Sequence, residues 1–469
     1  MVADLAVTRA VRVHASLPIF RLSVDDEVVF YAPGHALLVP AEKAGQIEAA
    51  TASGVGCENF EAAALARLLE AHGRAASQAW RDLAARPFEP ECLTLVLSNR
   101  CDLACCYCYA AVGRDEPAGA HTMAGSAPVA PPPRGRPLRT LPEPAAEQAA
   151  RLVARRCASA SRPLIVVFHG GGEPTFEWEL LVRLRAMVSR VARDHGIPAW
   201  VYLATHGAID ESRARWLAQH IDHVGLSCDG PPDIQDAQRR APSATTSALV
   251  ERTARILTDA GAEITVRVTV TPATVNRQSE IVDYLRGRLG ARRIRFEPVY
   301  RGRGAGGRHF LPEDADEFVK HYIRAAEAAR AHGCELDTSG ARPGDIHGPY
   351  CNPLRNVVQV GPDGSVSACF LDAGSRAPGD ARLELGRMGT QSGELKIDGR
   401  RAAELRRNAA AIPEHCEACV NIYHCARGCP EVCLATAVDR SGGQEGFRCR
   451  VQRGLAIWRI RQMARGQVH

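Results

Sequence analysis

The alternation of apolar and polar positions changes character along this chain, and the changes mark its parts. PIFRLSV (18–24), EVVFYAP (27–33) and ALLVP (36–40) read as three short strands, broken at Asp25-Asp26 and at Pro33-Gly34. Helical periodicity follows near 41–52 and 59–85, where Phe60, Ala64, Leu68 and Leu69 are spaced for one face. From Leu93 the pattern becomes short buried strands alternating with helices. LTLVLSN (93–99), the strand opening LIVVFHGGGEPTF (164–176), AWVYLA (199–204), HVGLS (223–227), EITVRVTV (263–270) and RIRFEPV (293–299) are the strands. Helices are predicted near 142–158 and from Glu177, Glu211, Thr245 and Ser279. A crossover after every strand predicts an α/β fold with a parallel sheet, an open six-stranded (β/α)6 partial TIM barrel.

Composition divides the chain further. The expected parts are an N-terminal small α+β module (1–90), the barrel (91–310), a helical linker (311–345) and a C-terminal Cys-rich domain (346–469), which the resemblance described below implies is an iron-sulfur domain. Residues 111–140 are rich in proline, glycine and alanine and lack periodicity, so they read as a flexible insertion in the barrel. No apolar run approaches the ~18 to 20 residues of a membrane span, and the N-terminus lacks the apolar core of a signal peptide. The expectation is a cytoplasmic protein without a membrane partner. Net charge is only +5 over 469 residues, and of 58 basic residues only Lys43, Lys320 and Lys396 are lysines. No dense basic run alternates with aromatics, so nucleic acid is not an expected partner.

Cysteine changes this picture. Seventeen cysteines in a cytosolic chain point to metal rather than disulfides. CDLACCYCYA (101–110) places Cys101, Cys105 and Cys108 at CxxxCxxC spacing, with Tyr107 just before the last. Three thiolates can hold three irons of a 4Fe-4S cluster and leave the fourth open to a small molecule. A zinc knuckle with a distant fourth ligand has the same spacing. The second motif is Gly170-Gly171-Gly172-Glu173-Pro174 at the end of a strand, where glycines let a ligand lie against the backbone and Pro174 stiffens the exit. Thr205, Gly207, Ser227 and Arg239 stand at later strand ends, and the guanidinium of Arg239 suits a carboxylate. Cys57, Cys92, Cys157, Cys228 and Cys334 read as small buried hydrophobes, and Cys106 as packing.

Eight cysteines lie from Cys351 onward. Cys351 and Cys369 flank a predicted hairpin turning at Pro362-Asp363-Gly364, and Cys416, Cys419, Cys425, Cys429, Cys433 and Cys449 follow. Zinc ribbons use such residues too.

Taken together, these motifs resemble the radical SAM enzymes with a C-terminal SPASM extension, of the kind that matures ribosomally made peptides and sulfatases. The resemblance runs from about Leu93 to the end. It implies a 4Fe-4S cluster on Cys101, Cys105 and Cys108 whose open iron is chelated by S-adenosyl-L-methionine. It places Tyr107, Gly171, Gly172, Glu173, Pro174, Thr205, Ser227 and Arg239 around that cofactor. Two auxiliary 4Fe-4S clusters are implied, an outer one on Cys416, Cys419, Cys425 and Cys449 and an inner one on Cys351, Cys369 and Cys429, with Cys433 extra. The implied activity is reductive cleavage of the cofactor to a 5′-deoxyadenosyl radical, followed by crosslinking, thioether formation or oxidation in a precursor peptide or protein. An electron donor such as flavodoxin or ferredoxin would serve it. Formylglycine formation is the alternative among enzymes; relatives of that type carry Asp directly after the second SPASM cysteine, where this chain has Phe370, with Asp372 two further on. A non-catalytic iron-sulfur carrier or scaffold is the alternative of another class. By the order of its strands and helices, the N-terminal module resembles the peptide-recognition element of peptide-modifying enzymes; a plain structural cap has the same order.

Overall fold

The structure, a computed structural model, describes residues 10–24, 27–53, 59–108, 139–241, 245–299, 310–347, 355–369, 383–388, 395–425 and 446–466. The insertion expected at 111–140 lies outside the described residues except for its last two positions.

Four antiparallel strands open the chain in spatial order: β1 (Ala10–Arg12), β2 (Phe20–Val24), β3 (Glu27–Ala32) and β4 (His35–Pro40). The first of these is absent from the sequence reading. Helices α1 (Ala41–Ser53) and α2 (Phe60–Ala85) follow. The Asn59 side chain caps α2 by accepting from the backbone N–H groups of Glu61 and Ala62.

Of the α2 face predicted from Phe60, Ala64, Leu68 and Leu69, only Leu69 is buried. Phe60 is 81% exposed and Leu68 39%, while Ala62, Ala66, Leu69, Gly73, Ala76 and Trp80 are buried. Small residues bring this helix against its neighbours; a Cβ on Gly73 would stand 3.2 Å from Leu17. A pattern judged by large apolar residues misses a stripe of alanine and glycine. The module also shares a core with the C-terminal region. Phe20, Leu22, Tyr31 and Trp80 pack with Val420, Ile422, Tyr423, Ile457 and Ile460. The Tyr31 hydroxyl donates to Pro343 O at 2.9 Å and lies 2.7 Å from His424 Nε2.

The barrel elements are β5 (Cys92–Leu95), the two-residue β6 (Ala104–Cys105), α3 (Glu143–Ser159), β7 (Leu164–Phe168), α4 (Trp178–Asp194), β8 (Ala199–Thr205), α5 (Glu211–His220) and β9 (His223–Ser227). Then come α6 (Pro232–Gln238), β10 (Arg239–Arg240), α7 (Thr246–Asp259), β11 (Ile264–Val270), α8 (Gln278–Leu289), β12 (Arg293–Pro298), α9 (Ala315–Ala331) and β13 (Glu335–Asp337). The remainder contains β14 (Val357–Val360), β15 (Ser365–Ser367), β16 (Glu384–Met388), β17 (Leu395–Ile397), α10 (Gly399–Ala410) and α11 (Phe447–Ala464).

Strands β5, β7, β8, β9, β11 and β12 are neighbours in that order and all parallel. Each crossover advances one strand in the same direction, so right-handed connections put every helix on one face. The expected six strands are extended at both edges. β13 joins β12 in parallel, and β14 joins β5 in parallel before the antiparallel run β15–β17.

Period-two burial separates the two faces of the sheet. Leu164, Val166 and Phe168 of β7 are wholly buried against Leu181, Leu184, Val188 and Val191 of α4, whereas Ile165 and Val167 are half-buried. In β11 the buried series is Ile264, Val266, Val268 and Val270, and Thr265, Arg267 and Thr269 face the other way. The helix-covered face carries the core. The opposite face lines the concave side, and its polar residues are available for chemistry.

Candidate active site

The chain leaves β5, passes Ser98-Asn99-Arg100 and enters the cysteine loop. This segment is stitched to the glycine motif by main chain: Gly172 N–H donates to Ser98 O and Glu173 N–H to Arg100 O, each at 2.8 Å. A Cβ on Gly172 would sit 1.8 Å from Arg100 O. Gly171 has φ +66°, and a Cβ there would lie 2.6 Å from Ser98 O. The sequence reading has these glycines opening space for a ligand. In the structure the close approach that Gly171 and Gly172 permit is that of the backbone leading into the first cysteine. Arg100 reinforces the join, donating to both carboxylate oxygens of Glu177 at 2.7 and 2.8 Å and lying over the Phe176 ring at 5.3 Å.

Cys101, Cys105 and Cys108 are half-buried in this loop, with Cys108 N–H donating to Cys105 O at 3.3 Å. Cys106 is exposed, not packed as predicted, although its N–H donates to Gln238 O at 2.9 Å. Burial raises the pKa of Cys101, and Glu173 adds to it. Burial likewise pushes Cys105 up to about 11, with Arg239 pulling the other way. The thiols of Cys101 and Cys105 therefore rest neutral until a cation meets them, and iron would stabilise their thiolates. Cys101 feels the charge of Cys105, and Cys105 that of Cys108. Donor type, number and proximity fit three-iron ligation of a cluster.

Asp229, absent from the sequence reading, is the hub of the next wall. It is fully buried and accepts from Arg239 Nε and Nη2 at 3.1 Å each, from Gln238 Nε2 at 2.9 Å and from Thr269 N–H at 2.9 Å. The Tyr107 hydroxyl also donates to it, and the Arg239 guanidinium lies 5.4 Å from the Tyr107 ring centroid. Arg239 further pairs with Cys105 through the β6–β10 bridge. The arginine predicted for a ligand carboxylate thus spends two nitrogens on a protein carboxylate, and Tyr107 faces the same hub. An acidic residue just past β9 and an arginine ten residues later were the available signal; the fold had to bring them together.

Glu173 is buried and held from three sides. It accepts from Thr175 N–H at 3.0 Å, Thr175 Oγ1 at 2.7 Å and His206 N–H at 2.9 Å. His206 Nδ1 accepts from Ala208 N–H at 3.0 Å, so Nε2 carries the proton and donates to Asp102 Oδ1 at 2.8 Å. Cys101, Asp102 and His206 bring ligand atoms within 4.8 Å of one another. Both imidazole nitrogens are already engaged, so this group ties the cysteine loop to the β8 end rather than forming a separate metal site. Pro174 is buried at the start of a short 3₁₀ turn. Thr205 Oγ1 accepts from Gly207 N–H at 3.0 Å and acts as a turn cap. Ser227 is half-buried at the end of β9.

In the C-terminal region, β14 and β15 form the predicted hairpin, closed by Gly361 N–H to Ser365 O at 2.9 Å. Cys369 follows β15, its N–H donating to Ser367 Oγ at 3.0 Å. Cys416 and Cys419 are joined by a backbone hydrogen bond of 3.1 Å, Cys425 follows His424, and Cys449 lies in the first turn of α11. All five are half-buried. Cys351, Cys429 and Cys433, with Phe370 and Asp372, lie outside the described residues, as does Cys57. Among the cysteines read as buried hydrophobes, Cys157, Cys228 and Cys334 are buried and Cys92 is half-buried. No helix among the described residues is long and apolar enough to cross a membrane.

Comparison with known proteins agrees with this geometry. Residues 95–285 match the radical SAM superfamily. A cysteine-type anaerobic sulfatase-maturating enzyme of Clostridium perfringens is 27% identical over 157 residues, 32% of this chain and 42% of the relative. This chain thus matches about two-fifths of the length of that relative. A solved structure of native anSMEcpe with bound AdoMet superposes with a TM-score of 0.58 at 20% identity, covering 80% of this chain and all of the other. A second, anSMEcpe with AdoMet and the Kp18Cys peptide, gives 0.58 at 19% identity, covering 80% of this chain and 99% of the other. Residues 95–285 of this chain thus carry the sequence pattern of a radical SAM domain.

Proposed function

We propose that this radical SAM enzyme cleaves S-adenosylmethionine and modifies a ribosomally made peptide or protein. The observation that carries the reading is the main-chain seam between Ser98–Arg100 and Gly172–Glu173, which fixes three half-buried cysteines beside the glycine motif. Cys101, Cys105 and Cys108 hold the cluster, which when bound and reduced supplies the electron for cofactor cleavage. Gly171–Pro174 face the cofactor's amino group, with Glu173 held in one orientation by Thr175 and His206. Ser227 and the guanidinium of Arg239 face its carboxylate, the latter held rigid by Asp229. Cys416, Cys419, Cys425 and Cys449 would hold an outer auxiliary cluster and Cys351, Cys369 and Cys429 an inner one, whose fourth iron is either held by Cys433 or open to substrate.

Two observations support a polypeptide substrate. The N-terminal sheet and the cysteine-rich region share a core, so a peptide held by residues 1–90, as an added strand on an open edge of that sheet, would lie close to the auxiliary cysteines. The anSMEcpe fold was also solved with a peptide bound. Likeness to the sulfatase-maturating enzyme favours oxidation of a single residue as a second reading.

The test is anaerobic reconstitution with iron and sulfide, reduction, and measurement of 5′-deoxyadenosine. Wild type should release it, and the Cys101→Ala, Cys105→Ala, Cys108→Ala triple variant should not while retaining roughly eight auxiliary irons, two clusters of four. Cleavage by the triple variant would defeat the proposal. Mass spectrometry of peptides encoded nearby, incubated with full-length enzyme and with protein lacking residues 1–90, separates crosslinking from oxidation and tests the recognition role.

A further inference from the structure

The concave face holds a charge that the chemistry above does not use. Strand register sets Ser227, Arg267, Arg295 and Asp337 opposite one another on β9, β11, β12 and β13. Residues paired across a sheet project from the same face, and Val266 and Val268 on either side of Arg267 are in the helix-covered core. Arg295 donates to Asp337 at 3.1 Å through Nη2, but its Nε is buried without a hydrogen-bond partner. Asp337 is already shared with Arg342 at 2.7 Å and Arg459 at 3.2 Å. Arg267 is half-buried and has neither ion pair nor side-chain hydrogen bond among the described residues.

Electrostatics agree that the Arg267 charge lies inside the barrel. His169, one residue past β7 on the far side of the sheet, has its pKa lowered to about 3 by burial and then by Arg267. Between these strands stands an aromatic wall. The rings of Trp200 and Tyr202 lie 6.1 and 5.5 Å from that of His223, and Tyr202 crosses Gly225, where any Cβ would meet its hydroxyl. A half-buried guanidinium with no ion pair among the described residues can take up an anionic ligand.

We propose that Arg267, with Arg295 beside it, is a carboxylate-binding pair that holds an acidic side chain or the C-terminal carboxylate of the peptide substrate inside the barrel. This deepens the peptide-modifying reading and rests on it for the substrate class. The cysteine loop and Gly171–Pro174 belong to β5, β7 and β8. Arg267 stands three strands beyond β7, roughly 14 Å along the sheet at about 4.8 Å per strand. Guanidinium donates in pairs to a planar carboxylate.

The probes are acetyl-Gly-Glu-Gly-amide and its uncharged counterpart acetyl-Gly-Gln-Gly-amide, titrated calorimetrically into unreduced holoprotein with S-adenosylmethionine bound. Wild type should bind the Glu probe roughly tenfold more tightly than the Gln probe. Arg267→Met should erase the difference, and Arg267→Lys should restore part of it. Equal binding by wild type, or no binding of either, overturns the proposal without any variant. A preference that survives in Arg267→Met overturns it as well. If Arg267→Met keeps the preference but loses S-adenosylmethionine affinity, the arginine serves the cofactor's carboxylate, and the assignment to substrate falls. Failure of the reduced wild type to form 5′-deoxyadenosine would instead count against the proposed function, which the probe titration does not measure.

Discussion

The two walls of the barrel are held by different forces. On the side of β5, β7 and β8 the site is fixed by main chain: carbonyls of Ser98 and Arg100 accept from Gly172 and Glu173, and glycine is needed because the backbones touch. On the side of β9, β11, β12 and β13 it is fixed by charge: Asp229 gathers Arg239, Gln238 and Tyr107, and Asp337 gathers Arg295, Arg342 and Arg459. A main-chain seam leaves no room for adjustment, so it suits a cluster whose ligands must not move. A side-chain network loses strength by degrees and can leave one cation over for a ligand.

The sharpest way to break this contrast is Gly172→Ala. The added methyl would meet Arg100 O at 1.8 Å, and backbone cannot yield as a side chain can. Reconstituted Gly172→Ala should lack about four irons, one cluster, and should form no detectable 5′-deoxyadenosine. Full iron and full cleavage would mean that the seam is pliable.

On the charged wall the losses should be graded. Asp229→Ala strands the buried Arg239 guanidinium and should cost about 3–5 kcal/mol in denaturant unfolding. Tyr107→Phe removes one hydrogen bond to the same carboxylate and should cost about 1.5–3 kcal/mol. Equal costs would mean that Asp229 does not act as a hub.

The gentlest effect concerns acid. Burial pushes the Asp337 carboxyl up, but Arg459, Arg342 and Arg295 outweigh it and hold its pKa below the usual value. A depressed carboxylate pKa stabilises the fold above the unfolded value of about 3.9, and that contribution fades as pH falls through the folded value. Stability measured from neutral pH downward should therefore drop below about pH 4, and Asp337→Asn should flatten that drop. An unchanged acid slope would remove Asp337 from the list of groups that set it.

What could be read without coordinates was whatever depends on neighbours in sequence. The apolar runs located five of the six barrel strands to within a residue, whereas the first ends at Leu95 and not at Asn99. The spacing of Cys101, Cys105 and Cys108 and the strand before Gly170 were equally local, and they pointed to the chemistry. Local pattern failed where packing partners decide. The buried face of α2 mixes Ala62, Ala66, Gly73 and Ala76 with Leu69 and Trp80, so small residues carry much of the signal and Phe60 and Leu68 point to solvent.

Only the tertiary structure decided the partners of charge. Arg239 reads as a ligand arginine until Asp229 is seen beneath it, and Arg267 is singled out only by its register with Ser227 and Arg295. Sequence determines which residues alternate to one face of a strand. Which of those faces meets helices, which meets solvent, and which guanidinium is left without a carboxylate depends on Coulomb interactions across strands far apart in the chain, and folding alone brings those together.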